Sequence, residues 1–323
     1  MTSHIAIYWN VRGMGSRVKR DAIRRVIERT KPCVIFFQES KKEKVDASLI
    51  TQLCGRQNDY SFHFSASNGA SGGLITCWEE TFFECESSTT SSRYISLTGK
   101  LRNSNLKCQL INVYAANNHS ERRLMWEELK REINNLNLPT IIGGDFNVVK
   151  TPKEKLGAQI HRKEMNEFEE FIEDIKVVDL PLSGGSFTWC SRREDPSFCR
   201  LDRFLVSTEI LQEWPDIVQR LMSNRISDHH PITLQRNYLN VGPKPFRWFE
   251  SWSDEFGYDE TVAKAVSSAA GKGIVQVLTA CKLQSRNWYQ SRKKASQASS
   301  ASLEKKVADL EKKFARDKLQ RPS

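Results

Sequence analysis

The chain has 323 residues and carries 49 Lys+Arg against 39 Asp+Glu, a formal charge of +10. Hydrophobic residues make up 39% and aromatics 10%, enough for a sizeable core, which excludes wholesale disorder. No stretch approaches the ~18 uncharged apolar residues of a membrane helix, and Ile5–Trp9 is too short for a signal-peptide core, so a nuclear or cytoplasmic protein, neither secreted nor membrane-bound, is expected.

The N-terminal part alternates strand and helix signals. His4 to Asn10 is a β-rich apolar run, followed by helical spacing at Val18, Ala22, Ile23, Val26 and Ile27 that Pro32 ends. Residues 33–37 read as a buried strand running into Gln38-Glu39. Strands are predicted at Tyr60–Ser65, Gly73–Trp78, Tyr94–Leu101 and Lys107–Tyr114. A helix with Ser120 as N-cap and Met125, Leu129, Ile133 and Leu136 on one face comes next. Pro139–Ile142 is a further strand, leading into Gly143-Gly144-Asp145-Phe146-Asn147. Met165, Phe168, Phe171, Ile172 and Ile175 mark a third helix, and Ser186–Cys190, Arg203–Val206 and Ile232–Leu234 further strands. Many strands with few helices imply stacked sheets with helices outside.

Pro243 and Pro245 mark a boundary, giving a first domain over 1–240 and a basic, partly helical linker or tail over 241–323. From Pro243 onward there are 16 of the 49 Lys+Arg and 9 of the 39 Asp+Glu, so most of the basic excess lies there. Leu303, Val307, Leu310 and Phe314 follow a heptad spacing for two heptads, short of a coiled coil. Trp248, Trp252, Trp288 and Tyr289 stand among Lys and Arg, an arrangement open to two readings: a nucleic-acid contact or an inert linker. The eight cysteines form no Cys-x-x-Cys pair, and the six histidines complete no zinc pattern; they read as reduced thiols.

The informative pattern is polar residues placed where apolar strands stop or start. Asn10, Glu39, Asn112 and Tyr114, and Asp145 and Asn147 follow such runs, while Asp202 and Ser227-Asp228-His229-His230 precede them. Each alone has a plainer reading: an exposed strand-end charge at Glu39, a turn with an Asx cap at Gly143-Gly144-Asp145, a surface loop at Asp228-His229. Neighbouring strands would gather them on one rim as carboxylates, carboxamides, a phenol and an imidazole. Oxygen-rich ligands without thiolates suit Mg²⁺ or Mn²⁺, and such an ion commonly works on phosphate while a carboxylate or imidazole positions water. Gly13-Met14-Gly15 sits where a dinucleotide-binding turn would, but Val18 replaces the third glycine; it reads as a tight turn into the first helix.

The segments Trp9-Asn10-Val11-Arg12-Gly13, Gln38-Glu39-Ser40, Asn112-Val113-Tyr114-Ala115, Gly143-Gly144-Asp145-Phe146-Asn147, Arg200-Leu201-Asp202-Arg203-Phe204-Leu205 and Ser227-Asp228-His229-His230-Pro231 resemble, in order, the motifs of the endonuclease/exonuclease/phosphatase superfamily. In detail they are most similar to the endonuclease domain of LINE-type (non-LTR) retrotransposons, over roughly residues 3 to 238. The resemblance implies a four-layer α/β sandwich and a Mg²⁺-dependent DNA endonuclease that nicks one strand, with Mn²⁺ as a substitute, DNA as partner and no small-molecule cofactor; an abasic-site or exonuclease-like nuclease, another phosphoesterase of the superfamily, and an inactive element-derived nucleic-acid-binding protein are the alternatives. It implies Glu39 as metal ligand with Asn10 and Asp228 nearby, Tyr114 and Asn147 on the scissile phosphate, and Asp145 positioning or deprotonating water. His229, oriented by Asp202, would bind phosphate, and either His229 or Asp145 would be the base; Thr188 and Ser227 would be supporting or phosphate-contacting hydroxyls. His230 has no role in the pattern. Arg12 departs from abasic-site endonucleases of the superfamily, which carry an acid there. The tail resembles the linker preceding reverse transcriptase, which is absent here.

Overall fold

The computed structural model describes residues 3–55, 60–69, 71–157, 159–223, 226–236, 252, 255–271, 273–274, 276–292, 302 and 306. The chain falls into two compact units, Met1–Leu239 and Asn240–Ser323.

The first unit begins β1 (Ser3–Asn10), α1 (Arg17–Thr30), β2 (Val34–Gln38), α2 (Ala47–Cys54), β3 (Tyr60–Asn68), β4 (Ser71–Glu79), β5 (Phe83–Thr90), β6 (Tyr94–Leu101), β7 (Lys107–Tyr114), α3 (His119–Leu136) and β8 (Thr140–Asp145). It continues with β9 (Lys155–Leu156), α4 (Arg162–Asp174), β10 (Val177–Asp179), β11 (Leu182–Ser183), β12 (Trp189–Cys190), β13 (Phe198–Cys199), β14 (Asp202–Ser207), α5 (Thr208–Glu213), β15 (Ile217–Leu221) and β16 (Ile232–Arg236). One sheet runs β11-β15-β16-β1-β2-β4-β3, a second β10-β14-β8-β7-β6-β5, and a small third β12-β13-β9.

Alternation along the strands builds the four layers. In β1, Ala6 and Tyr8 face the space between the two large sheets, where Phe36, Leu110, Ile141 and Phe204 meet them. Ile7 and Trp9 point the other way, onto Ile23 and Ile27 of α1 and Ile50 and Leu53 of α2. The second sheet repeats this: Ile111, Val113 and Ile142 pack on Met125 and Leu129 of α3 and Phe168 and Phe171 of α4. Both faces of each central strand are therefore apolar, the pattern expected of sheets covered on both sides. The expected four-layer α/β sandwich is the observed fold.

Local signals explain most boundaries. Ser16 Oγ accepts the Lys19 amide to start α1, and Lys31 in the left-handed region closes it. The third helix starts earlier than expected, because Asn118 rather than Ser120 is the cap, its carboxamide accepting the Glu121 amide. Leu136, expected on its buried face, is exposed, and Trp126 takes its share of the core. Several elements escaped the sequence reading, among them α5, β15, β5 and α2. The edge strand β5 buries little beyond Phe83, so its Ser/Thr text has no apolar alternation, and α2 is a short helix capped by Asp46.

Gly143 and Gly144 are not turn residues. They lie within β8, where a Cβ on Gly143 would sit 2.5 Å from Phe36 of the opposite sheet and one on Gly144 2.5 Å from the Val113 carbonyl. The glycines let the sheets close together just before Asp145, so the expected turn lies after them, where Asp145 Oδ1 accepts the Asn147 amide in an Asx turn. The expected strand over Ser186–Cys190 shrinks to β12.

Within the second unit, α6 (Tyr258–Ser268) and a helical stretch at 276–292 share an aromatic cluster. The Trp252 ring lies 5.7 Å from Tyr258, 5.9 Å from Trp288 and 5.1 Å from Tyr289. In this cluster Trp252 and Tyr258 are buried, while Tyr289 remains exposed. The expected heptad at 303–314 and Trp248 lie outside the described residues. All eight cysteines are free thiols, and no described helix is long and apolar enough to cross a membrane.

Candidate active site

Strand direction brings the polar strand ends together. β1 and β2 are parallel, pairing Asn10 with Gln38, and β7 and β8 are parallel, pairing Tyr114 with Asp145. Both pairs are βαβ units, so their C-terminal ends fall on one side, the usual ligand-binding edge of such sheets. β14 runs antiparallel to β8 and sets Asp202 opposite Asp145. β16 runs antiparallel to β1, so the loop before it delivers Ser227, Asp228 and His229 to the same rim.

The Asn10 carboxamide bridges the two sheets: Nδ2 donates to Glu39 Oε1 at 3.0 Å and, more weakly, to Asp145 Oδ2 at 3.4 Å. Tyr114 Oη donates to Glu39 Oε1 at 3.1 Å. Burial and the Glu39 and Asp145 carboxylates push the Tyr114 phenol well up, so it stays a donor. The Asn147 amide donates to Asp145 Oδ1 at 2.9 Å, and Asn147 Nδ2 to the Ala115 carbonyl at 2.7 Å, leaving that nitrogen a second hydrogen. His229 Nδ1 lies 3.0 and 3.1 Å from the two oxygens of Asp202, and His229 Nε2 lies 3.7 Å from Asp145 Oδ2.

Asp145, Asp202 and His229 are all essentially buried. Burial raises the Asp145 carboxyl, with Asp202 adding to this while His229 and the hydrogen bonds from Asn147 and Asn10 oppose it. Burial alone would lower His229, but the Asp202 and Asp145 carboxylates outweigh it and push the imidazole up to about 9. The arrangement holds a cationic imidazole beside a carboxyl whose proton comes off closer to neutrality than usual, the separation of acid and base roles that polar catalysis needs.

Three of these positions hold a left-handed backbone in a non-glycine residue: Arg12 (φ 50°), Glu39 (φ 47°) and Asn147 (φ 50°). Such conformations cost on the order of 1 kcal/mol each and gather at functional sites.

Two sets of residues offer metal ligands. Asp145, Asp202 and His229 place ligand atoms within 4.8 Å of one another. Asp202 is already held by His229 and by the Tyr8 hydroxyl at 2.7 Å, and a protonated imidazole does not ligate, so this trio suits proton handling better. Glu39 fits a hard cation more closely. Its Oε1 takes the contacts from Asn10, Tyr114 and Arg12, while Oε2 accepts from no described residue and Glu39 lines the cleft. A carboxylate oxygen without a protein donor beside a carboxamide is the donor chemistry Mg²⁺ or Mn²⁺ takes.

The remaining expected residues are placed as follows. Asp228 is committed elsewhere: Arg12 Nε and Nη2 donate to its two oxygens at 3.0 and 2.8 Å, and Trp189 Nε1 donates at 3.0 Å. Burial would raise its carboxyl, but the Arg12 hydrogen bonds and charge hold it below the ordinary range. Thr188 is fully buried, and its hydroxyl accepts the Leu201 and Asp202 amides, so it supports Asp202. Ser227 Oγ donates to the Asn10 carbonyl at 2.7 Å and accepts the His229 amide. Neither hydroxyl lines the cleft. Asn112 leaves the rim altogether: buried between the sheets, it donates to the Phe37 and Ile75 carbonyls. His230 does not line the cleft, and its Nδ1 donates to the Met222 carbonyl at 3.1 Å.

These groups open into a cleft of ≈ 410 Å³ whose lining also includes Arg12, Lys155, Trp189 and Arg193. Tyr8, Trp189 and Lys155 were not legible as site residues. Tyr8 reads as one more apolar strand position, and Lys155 and Trp189 lie in two-residue strands, β9 and β12, too short to carry a pattern. The Trp189 signal was its place two residues from Phe187 in the Ser/Gly-rich text before Asp202.

The model of the Endonuclease/Exonuclease/phosphatase family matches residues 7–229. No curated protein matches the chain. Among solved structures, the AP endonuclease LMAP from Leishmania major is similar with a TM-score of 0.56 and 19% identity, over 72% of this chain and 87% of that one. An AP endonuclease from Archaeoglobus fulgidus gives 0.56 and 16%, over 72% and 99%. The endonuclease domain of TRAS1, a telomere-specific non-LTR retrotransposon, gives 0.54 and 14%, over 73% and 99%. Likeness at this identity speaks to the fold alone.

Proposed function

Since this chain belongs to the endonuclease/exonuclease/phosphatase family, we propose that it is a divalent-metal-dependent DNA endonuclease that nicks one strand, as the endonucleases of non-LTR retrotransposons do. The observation that carries this reading is the convergence of Glu39, Tyr114, Asp145, Asn147 and His229 on one cleft from the ends of two stacked sheets, with the buried Asn10 carboxamide tying Glu39 to Asp145 behind it.

Glu39, with Asn10 beside it, would hold Mg²⁺ or Mn²⁺. When bound, the ion supplies charge neutralisation on the phosphate. Tyr114 Oη and the remaining Asn147 amide hydrogen donate to non-bridging phosphate oxygens. The His229 imidazolium presents its Nε2 hydrogen to the charge that grows there as water adds. Asp202 takes the Nδ1 hydrogen and so keeps the other nitrogen facing the cleft. Asp145 accepts the proton of the attacking water, the role its raised carboxyl suits at neutral pH. The new P–O bond forms as the P–O3′ bond breaks, and the 3′ oxygen gains a proton from solvent. The products are a 5′-phosphate and the 3′-hydroxyl that such elements extend by reverse transcription.

Three substrates tested side by side decide the class: supercoiled plasmid, a duplex with one abasic site, and an inositol polyphosphate, each with Mg²⁺, Mn²⁺ or EDTA. Plasmid nicking that EDTA stops, with no large preference for the abasic duplex, supports the reading. Incision of the abasic duplex many times faster points to a repair-type nuclease, and faster release of phosphate from the inositol phosphate points to the phosphatase branch.

A further inference from the structure

Arg12 is fixed among the site's carboxylates from both ends. Its backbone amide donates to Asn10 Oδ1 at 3.2 Å, and its carbonyl accepts Lys19 Nζ at 2.8 Å. The next residue, Gly13, donates its amide to the Glu39 carbonyl at 2.7 Å. From this left-handed corner the side chain lays a two-pronged guanidinium on Asp228, and its Nε stands 3.6 Å from Glu39 Oε1. A bidentate fork of this kind is geometrically rigid and permanently charged.

The charges then sort by pairs. Asp202 faces His229, and Asp228 faces Arg12. Glu39 and Asp145 are left as the two carboxylates without a full cationic partner, a charge suited to a single divalent ion. A second ion beside Asp228 would have to displace the guanidinium from both oxygens or lie against its positive charge.

We propose that Arg12 acts as a built-in second cation, occupying Asp228 and restricting this site to one divalent ion. The proposal rests on the reading of the cleft as a metal-dependent site. It concerns how many ions bind, which is independent of turnover.

Mn²⁺ titration of the full chain without DNA, with free Mn²⁺ counted by electron paramagnetic resonance, tests it. Wild type should bind one Mn²⁺ tighter than ~1 mM, the weak end for protein carboxylate sites. Arg12→Asp should bind two, and Arg12→Asp combined with Asp228→Asn should return to one. Asp and Asn tolerate the left-handed backbone best, so Arg12→Asn is the second variant: it also frees Asp228 and should gain a weaker second ion. Two ions on the wild type, or one on folded Arg12→Asp and Arg12→Asn, overturns the proposal. The underlying reading fails differently: a wild type that binds no Mn²⁺, or binding that Glu39→Gln leaves unweakened, removes the metal site itself and this proposal with it.

Discussion

Asp202 holds His229 Nδ1 between its two carboxylate oxygens, at 3.0 and 3.1 Å, and thereby assigns His229 Nε2 to the side facing Asp145. Asp202→Asn keeps the size but offers an amide hydrogen where a carboxylate accepted one, which favours the wrong tautomer. We expect a loss in nicking rate on the order of 10²-fold or more, the usual scale for a positioned acid–base unit. His229→Ala should cost a similar amount, and the double variant little more than either alone, because the pair works as a unit. Additive losses from rate measurements on the three variants would separate the two residues.

The pH profile should be bell-shaped. Activity needs Asp145 deprotonated, and its raised carboxyl makes the rate climb as pH rises through neutrality. It also needs the His229 proton, which leaves near pH 9, so the rate should fall beyond that point. The check is kcat/KM across pH 5.5 to 10 at saturating Mg²⁺. A flat profile through this window would contradict the assignment of base and cation.

Asp145 should be a stability liability. A carboxyl whose folded pKa lies above its unfolded value binds its proton more tightly when folded, so its contribution is present at low pH and is lost as pH rises through the folded value. In EDTA, Asp145→Asn should therefore be more stable than wild type at pH 8 by about 1 kcal/mol or more, with the difference shrinking towards pH 4. Thermal unfolding at the two pH values measures it, and an Asn variant less stable at pH 8 would contradict the burial argument.

Gly143→Ala tests how closely the sheets approach behind the site. The added methyl would meet Phe36 at 2.5 Å and Phe204 at 2.8 Å, both rings fully buried. Overpacking of this kind costs about 1–3 kcal/mol. Urea unfolding should show that loss, and nicking should fall because Asp145 shifts with the strand. A variant as stable as wild type would mean the strand yields easily.

Much of the site was legible because its residues sit at the ends of apolar strands, where a polar residue interrupts an otherwise continuous run. Asn10, Glu39, Tyr114, Asp145, Asn147 and His229 were found this way: the last five line the cleft, and Asn10 is buried against Glu39 and Asp145. What strand ends could not reveal was which partners close on them. Arg12 looked like a departure from a pattern, and only the turn at Gly13 shows that it reaches Asp228. Tyr8 looked like core because alternation hides a hydroxyl aimed at the buried Asp202. Asn112 looked like rim, but its place two residues before Tyr114 puts it inside the sandwich. The sheet order was unreadable for a different reason: β16 joins β1 across more than 220 residues of sequence, a pairing no local spacing encodes.

The most direct test is plasmid nicking in Mg²⁺ by wild type, Asp145→Ala and His229→Ala prepared alike. Wild type should convert supercoiled DNA to open circles and stop with EDTA, while each variant should be slower on the order of 10²-fold or more. Undiminished nicking by both variants would place the chemistry outside this cleft.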